Sequence, residues 1–266
     1  MQKNRVNWNS LFSPDGRRFL FGLSGGKQQG ALVEVLVPSG SMSERLSKRT
    51  LRNTLAKVVP DALRRERAII LRLGATAGPI YAKLRLLDHL GTYSQTEAMN
   101  LNARSFLFVC FGNIMRSPMA EAVFRKAINE EDLPLQISSA GLHAIAGTPP
   151  DPRAVMVARE MNVPLDGHRA QLLTPTLMAG ADVVFAMDYQ NKAELLARYP
   201  DHSRKIFMLS AFGEGPDRHR EIPDPYMGNL DATRRCYTLI YCCIRNLTCA
   251  LKQAWERNWK NKSARV

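Results

Sequence analysis

The 266 residues suffice for one or two folded domains, and 45% hydrophobic against 23% charged side chains excludes global disorder. The formal charge is +13 and unevenly spread: residues 1–104 hold 17 Lys and Arg against 7 Asp and Glu, residues 105–266 hold 20 against 17. No apolar run approaches the roughly 18–20 residues of a membrane span, and residues 1–10 lack the apolar stretch of a secretion signal.

Residues 1–40 are polar and rich in Gly and Ser, with one short apolar run at Ala31–Val37. The GLSGGK stretch at 22–27 lacks the GxxxxGK[ST] spacing of a nucleotide loop, and Gln28 stands where a Mg²⁺-binding hydroxyl is needed, so it reads as a turn. Ser41 and Glu44 have capping-box spacing, and Leu51, Leu55 and Val58 follow with helical period. Pro60 can open a second helix leading into Ala68–Leu73; Gly74 and Gly78 punctuate it. Ile80, Leu84 and Leu87 mark a third helix that ends near Gly91, and Thr92–Asn102 reads as a linker. Residues 1–100 are thus expected to be a basic, mainly helical extension, with a domain boundary near residue 100. Its charge fits solvated faces around a small helical packing unit. It equally fits docking to an anionic partner: nucleic acid, a membrane surface or an acidic protein.

From Ser105 the pattern changes. A strand at Phe106–Val109 is followed by Gly112, and a helix starts after Arg116 with Pro118 in its first turn. Then come a strand (Leu135–Ser139), a helix (Pro152–Met161), a strand (Asp182–Met187), a helix (Gln190–Arg198) and a strand (Lys205–Leu209). A long loop precedes a last helix from about Leu230 to Trp259. Alternating strands and helices predict an α/β domain over 105–260, a doubly wound four-stranded parallel sheet with helices on both faces. Such sheets bind ligands beyond the carboxyl ends of their strands.

The loop after the first strand reads Cys110, Phe111, Gly112, Asn113, Ile114, Met115, Arg116, Ser117. Consecutive backbone N–H groups there can curl around a phosphoryl group, and the helix that follows aims its unpaired N–H groups at the same point. Arg116 adds a planar fork for two oxygens, the same field favours the thiolate of Cys110, and Ser117 can donate to it. This is an activated nucleophile facing a phosphate. Hydrolysis also needs an acid, and Asp224, stiffened by Pro225 and followed by Tyr226, lies on another loop at the same sheet edge. Asp188, after the third strand, reads as a helix cap.

VCFGNIMRSPMAEAVF resembles the signature loop of low-molecular-weight protein tyrosine phosphatases. The similarity continues through ISSAGLHAIAGTPPDPRAV, GHRAQLLT, VVFAMD and EIPDPYMGN, in family order, over about residues 105–256. The resemblance implies that Cys110 forms a cysteinyl-phosphate, that Arg116 binds phosphate with the loop from Phe111 to Ser117, and that Asp224 is acid and then base. It further implies that Asn113, Ser117, Ser139 and His168 support the loop, and that Phe111 and Tyr226 flank the substrate ring. No metal or cofactor is implied. The substrate implied is a phosphotyrosine protein; the EIPDPY form resembles that of bacterial members that accompany tyrosine autokinases of polysaccharide export.

Two departures stand out. Most members carry a second cysteine where this chain has Met115, and many carry an aromatic where it has Ala144, which predicts a lower cleft wall. Ile114 resembles the residue of phosphotyrosine-type members; those acting on phosphoarginine have threonine there. A thiol-dependent arsenate reductase on the same fold is the alternative, but Cys236, Cys242, Cys243 and Cys249 all fall on the last helix and not in loops. Cys236, Ile240, Cys243, Leu247 and Ala250 have the spacing of a core stripe. With no disulfide framework and no CxxC pair, the five cysteines predict a cytoplasmic protein with reduced thiols.

Overall fold

The computed structural model describes residues 61–90, 99–130, 135–214 and 221–263. The helix expected from Ser41 and the turn at 22–27 lie outside them. The described elements are α1 (Asp61–His89), β1 (Ser105–Cys110), α2 (Arg116–Glu130), β2 (Gln136–Gly141), α3 (Pro152–Glu160), α4 (Pro175–Gly180), β3 (Val183–Ala186), α5 (Tyr189–Arg198), β4 (Ile206–Met208) and α6 (Leu230–Ser263). Short 3₁₀ turns flank β4 at Pro200–Lys205 and Leu209–Phe212.

The strands form one parallel sheet in the order β2-β1-β3-β4, the doubly wound architecture expected from the sequence. β1 explains why the sheet must be covered twice. Its even positions, Phe106 and Phe108, pack with Phe124 of α2, Val157 of α3 and Ile240 of α6. Its odd positions, Leu107 and Val109, pack with Met178 of α4 and with Ala193 and Leu195 of α5. A strand apolar at every position from Phe106 to Cys110 has no solvent face there, so helices must close both sides. The first face is set by aromatic rings: Phe124 meets Phe106 and Phe108 edge-on at 5.2 and 5.7 Å, and Phe185 stacks on Phe108 at 5.5 Å. Cys236, Ile240, Cys243 and Leu247 are buried on α6, as their spacing predicts; Ala250 is only half-buried, and Leu251 takes the buried place beside it.

α1 is bent into a hairpin. Gly74 has φ 73° and ψ −167°, a conformation that favours glycine, and it ends one helical segment and starts the next. The segments lie so close that a Cβ on Gly78 would stand 2.6 Å from the carbonyl oxygen of Ile70. Tyr81 and Arg85 of the second segment bond to Glu66 of the first at 2.7 and 2.9 Å. Ala77, Tyr81 and Leu84 are buried in the same cluster as Tyr189, Ala193 and Leu195 of α5. Asp61–Val266 is therefore one compact unit. Packing runs across the charge step near residue 100, because the apolar stripe of α1 covers α5.

α4 was not evident in the sequence. Thr174 caps it through a bond from the Leu177 N–H, and Pro175 opens it, but six residues are too few for an apolar period to show.

Candidate active site

β1 lies between β2 and β3, so the chain leaves it in one direction for β2 and later crosses to the other side for β3. The crevice at such a switch point is where ligands bind, and the Cys110–Ser117 loop occupies it.

The loop's shape follows from where its carbonyls are tied. Phe111 O accepts from His143 N at 2.8 Å, Ile114 O from Asp151 N at 3.1 Å, and Met115 O from the Tyr237 hydroxyl at 3.1 Å. Asn113 O lies 2.9 Å from His168 Nε2, which must carry the proton because a carbonyl can only accept. A peptide unit is planar, with its N–H opposite its C=O. Carbonyls held outward by four neighbours therefore turn the N–H groups of Gly112, Ile114, Met115 and Arg116 inward, as a concave ring of donors.

Asn113 holds the ring from within. Its φ of 54° is a left-handed turn, and its buried side chain uses every polar atom to keep it. Nδ2 donates to Ser117 Oγ at 2.9 Å and to Ser139 Oγ at 2.8 Å, while Oδ1 accepts from Gln171 N at 2.9 Å. Ser139 in turn donates to Glu121 Oε2 at 2.6 Å. Gly141 passes beneath, where a Cβ would stand 2.8 Å from Phe111 O and 2.9 Å from Asn113 N. Cys110 Sγ sits at the floor, 3.2 Å from the Asn113 N–H and 3.0 Å from Ser117 Oγ, both able to donate to it.

Arg116 is buried with its guanidinium between two carboxylates. It donates to Asp188 Oδ2 at 2.5 Å and Asp224 Oδ2 at 2.7 Å, and to Ile222 O at 3.2 Å. Burial opposes its charge, but Asp188, Asp224 and Cys110 outweigh that, so the group is held above its ordinary range. The Asp224 loop is braced from α3: Arg153, fixed by Asp151, donates to Tyr226 O at 3.0 Å and Gly228 O at 2.5 Å. Phe111 and Tyr226 are half-exposed at the mouth, and Phe111 stacks on His143 at 4.5 Å. A pocket of about 280 Å³ over Cys110 is walled by Phe111, Ile114, His143, Ile145 and Tyr226.

A family model described as low molecular weight phosphotyrosine protein phosphatase matches residues 105–257. The chain belongs to that family. Among curated relatives of this phosphatase domain, the probable low molecular weight protein-tyrosine-phosphatase EpsP of Ralstonia nicotianae is 36% identical over 52% of this chain and 88% of its own. The protein-arginine-phosphatase of Bacillus subtilis is 33% identical over 55% and 96%. The crystal structure of the Erwinia amylovora tyrosine phosphatase AmsI matches with a TM-score of 0.51 at 30% identity, covering 56% of this chain and 93% of that one.

The phosphatase fold gathers every residue singled out in the sequence: Cys110 through Ser117, Ser139, His168, Asp224 and Tyr226 all meet at one sheet edge. Ala144 is the exception among the departures. It is buried against Gly141, and exposed Ile145 forms that part of the wall instead. Asp188 does cap α5, accepting from Asn191 N at 2.6 Å, but its second oxygen holds Arg116. Its place at the carboxyl end of β3 was the available signal. Glu121, Gln171 and Tyr237 gave none, since their partners lie 18 to 122 residues away.

Proposed function

We propose that the chain hydrolyses phosphotyrosine in proteins through a cysteinyl-phosphate on Cys110. The loop carries this reading: its carbonyls are tied outward, its donors face in, and a sulfur lies at its floor. The Cys110 thiolate attacks phosphorus, the bond to the tyrosine oxygen breaks, and Asp224 gives that oxygen its proton. Water then loses a proton to the Asp224 carboxylate and attacks phosphorus, the S–P bond breaks, and the thiolate returns with free phosphate. The inward N–H groups and Arg116 hold the equatorial oxygens through both steps, which supplies the charge stabilisation. Asp188 keeps Arg116 oriented while Asp224 works. Phe111 and Tyr226 sandwich the ring, and Ile114 gives the pocket an aliphatic wall suited to an aromatic substrate.

Turnover of p-nitrophenyl phosphate, phosphotyrosine peptides, phosphoarginine and arsenate tests this. Phosphotyrosine is expected to exceed phosphoarginine in kcat/KM, with no thiol-coupled arsenate reduction; the reverse order would overturn the reading.

Met115 leads to a redox expectation. Cys236 is a buried thiol near the loop, and burial pushes it up to about 12, which keeps it protonated and a poor nucleophile. A sulfenic acid on Cys110 then lacks a thiol to trap it as a disulfide, and oxidation proceeds to sulfinic acid. Excess peroxide is expected to leave activity that dithiothreitol does not restore; full recovery would contradict this. An odd number of cysteines without a disulfide framework in the sequence supports a cytoplasmic location, and among the described residues no helix is long and apolar enough to cross a membrane. The EIPDPY form supports a tyrosine autokinase as the phosphoprotein substrate, and the charge of residues 1–104 supports an anionic partner for that region.

A further inference from the structure

Residues 61–89 lie outside the matched family region, yet they wall the cleft beside the active-site pocket. This cleft, of about 770 Å³, runs between Arg72, Leu73 and Ala77 at the bend of α1 and Gln190 and Arg198 on α5. It opens at Arg116, Asp224 and Tyr226, which also line the pocket over Cys110. The cleft therefore adjoins the pocket over Cys110 and offers room for a polypeptide flanking the bound side chain, with α1 as its outer wall.

That wall is anchored. Tyr189 of α5 donates its hydroxyl to Asp88 at 2.8 Å and its N–H to Glu221 at 2.7 Å, three residues before Asp224. Arg85 lies 2.9 Å from Glu66, 3.3 Å from Asp88 and 3.9 Å from Glu221. The hairpin, α5 and the base of the Asp224 loop are one ionic network, so the bend of α1 has a fixed position relative to the reacting centre.

Each charged side chain lining the cleft has a partner of opposite charge except one. Arg116 is paired with Asp188 and Asp224, and Glu194 with Arg198 and His143. Arg72 has no carboxylate partner among the described residues; its guanidinium donates to the neutral amide of Gln190, two positions from Asp188. An exposed guanidinium on the cleft wall, held in place by an amide, is a ready partner for a carboxylate.

We propose that Arg72 is a specificity-determining residue that receives an acidic side chain of the substrate segment flanking the phosphotyrosine. The proposal rests on the phosphotyrosine reading above. An exposed ion pair is modest in strength, so the preference is a few-fold and weakens with salt.

Phosphotyrosine peptides carrying Glu, Gln or Lys at successive positions within three residues either side, with the full chain and its Arg72→Ala, Arg72→Lys and Arg72→Glu variants, test it. At one or more positions the unaltered chain is expected to favour Glu over Gln by about two- to fivefold in kcat/KM. The ratio should persist in Arg72→Lys, vanish in Arg72→Ala and turn toward Lys peptides in Arg72→Glu. Because each ratio is taken within one variant, a general loss of activity does not mask it. Equal kcat/KM for all peptides, or an unchanged Glu preference in Arg72→Ala, would refute the subsite and leave the phosphatase reading standing. Hydrolysis of no peptide, with p-nitrophenyl phosphate still turned over, would refute the phosphotyrosine reading and the subsite with it.

Discussion

Cys110→Ser is expected to reduce turnover of p-nitrophenyl phosphate to background, a loss on the order of 10⁴–10⁶ in kcat. One atom changes, and the donors around it remain: the Asn113 N–H and Ser117 Oγ contact that atom from the loop backbone and from α2. A hydroxyl is a far weaker nucleophile than a thiol, so binding and chemistry should separate. Calorimetric titration with a phosphotyrosine peptide is expected to give a Kd near the KM of the unaltered chain. Residual activity within about tenfold of the unaltered chain would mean that water attacks phosphorus directly and that Cys110 is not the nucleophile.

Asp224→Ala should lower kcat by about 10²–10³ on phenyl phosphate and by much less on p-nitrophenyl phosphate, because a good leaving group needs little protonation. Arg116 keeps its bonds to Asp188 and Ile222 in this variant, so KM should move little. A uniform loss on both esters, with KM raised in proportion, would place Asp224 in substrate binding and not in proton transfer.

The phosphate loop was legible in the sequence because its working parts are contiguous: a nucleophile, a turn of donors, an arginine and a helix start fall within eight residues. The alternating apolar pattern of 105–209 likewise made the sheet and its catalytic edge evident. The resemblance names Asn113, Ser117, Ser139 and His168 as the loop's support, but nothing in the residues themselves points to Gln171 or Tyr237. Asn113 is held by Ser139, Gln171 and His168, and Met115 by Tyr237, contacts that exist only once four elements have packed. Asp188 gave a correct but incomplete reading, since one carboxylate can cap α5 with one oxygen and hold Arg116 with the other. α1 shows the limit most plainly. Its apolar stripe announces burial but not its partner, and the charge step at residue 100 points to a boundary that the packing of Tyr81 and Leu84 on α5 crosses.

The covalent step can be seen most directly by mixing Asp224→Ala with p-nitrophenyl phosphate, quenching rapidly in acid and weighing the proteolytic peptides. Losing Asp224 slows release of phosphate from sulfur more than transfer of the phosphoryl group from p-nitrophenyl phosphate to sulfur, so the intermediate should accumulate. The peptide containing Cys110 is expected to carry one phosphoryl group during turnover. An unmodified Cys110 while product is still forming, or a phosphoryl group on another residue, would contradict the mechanism.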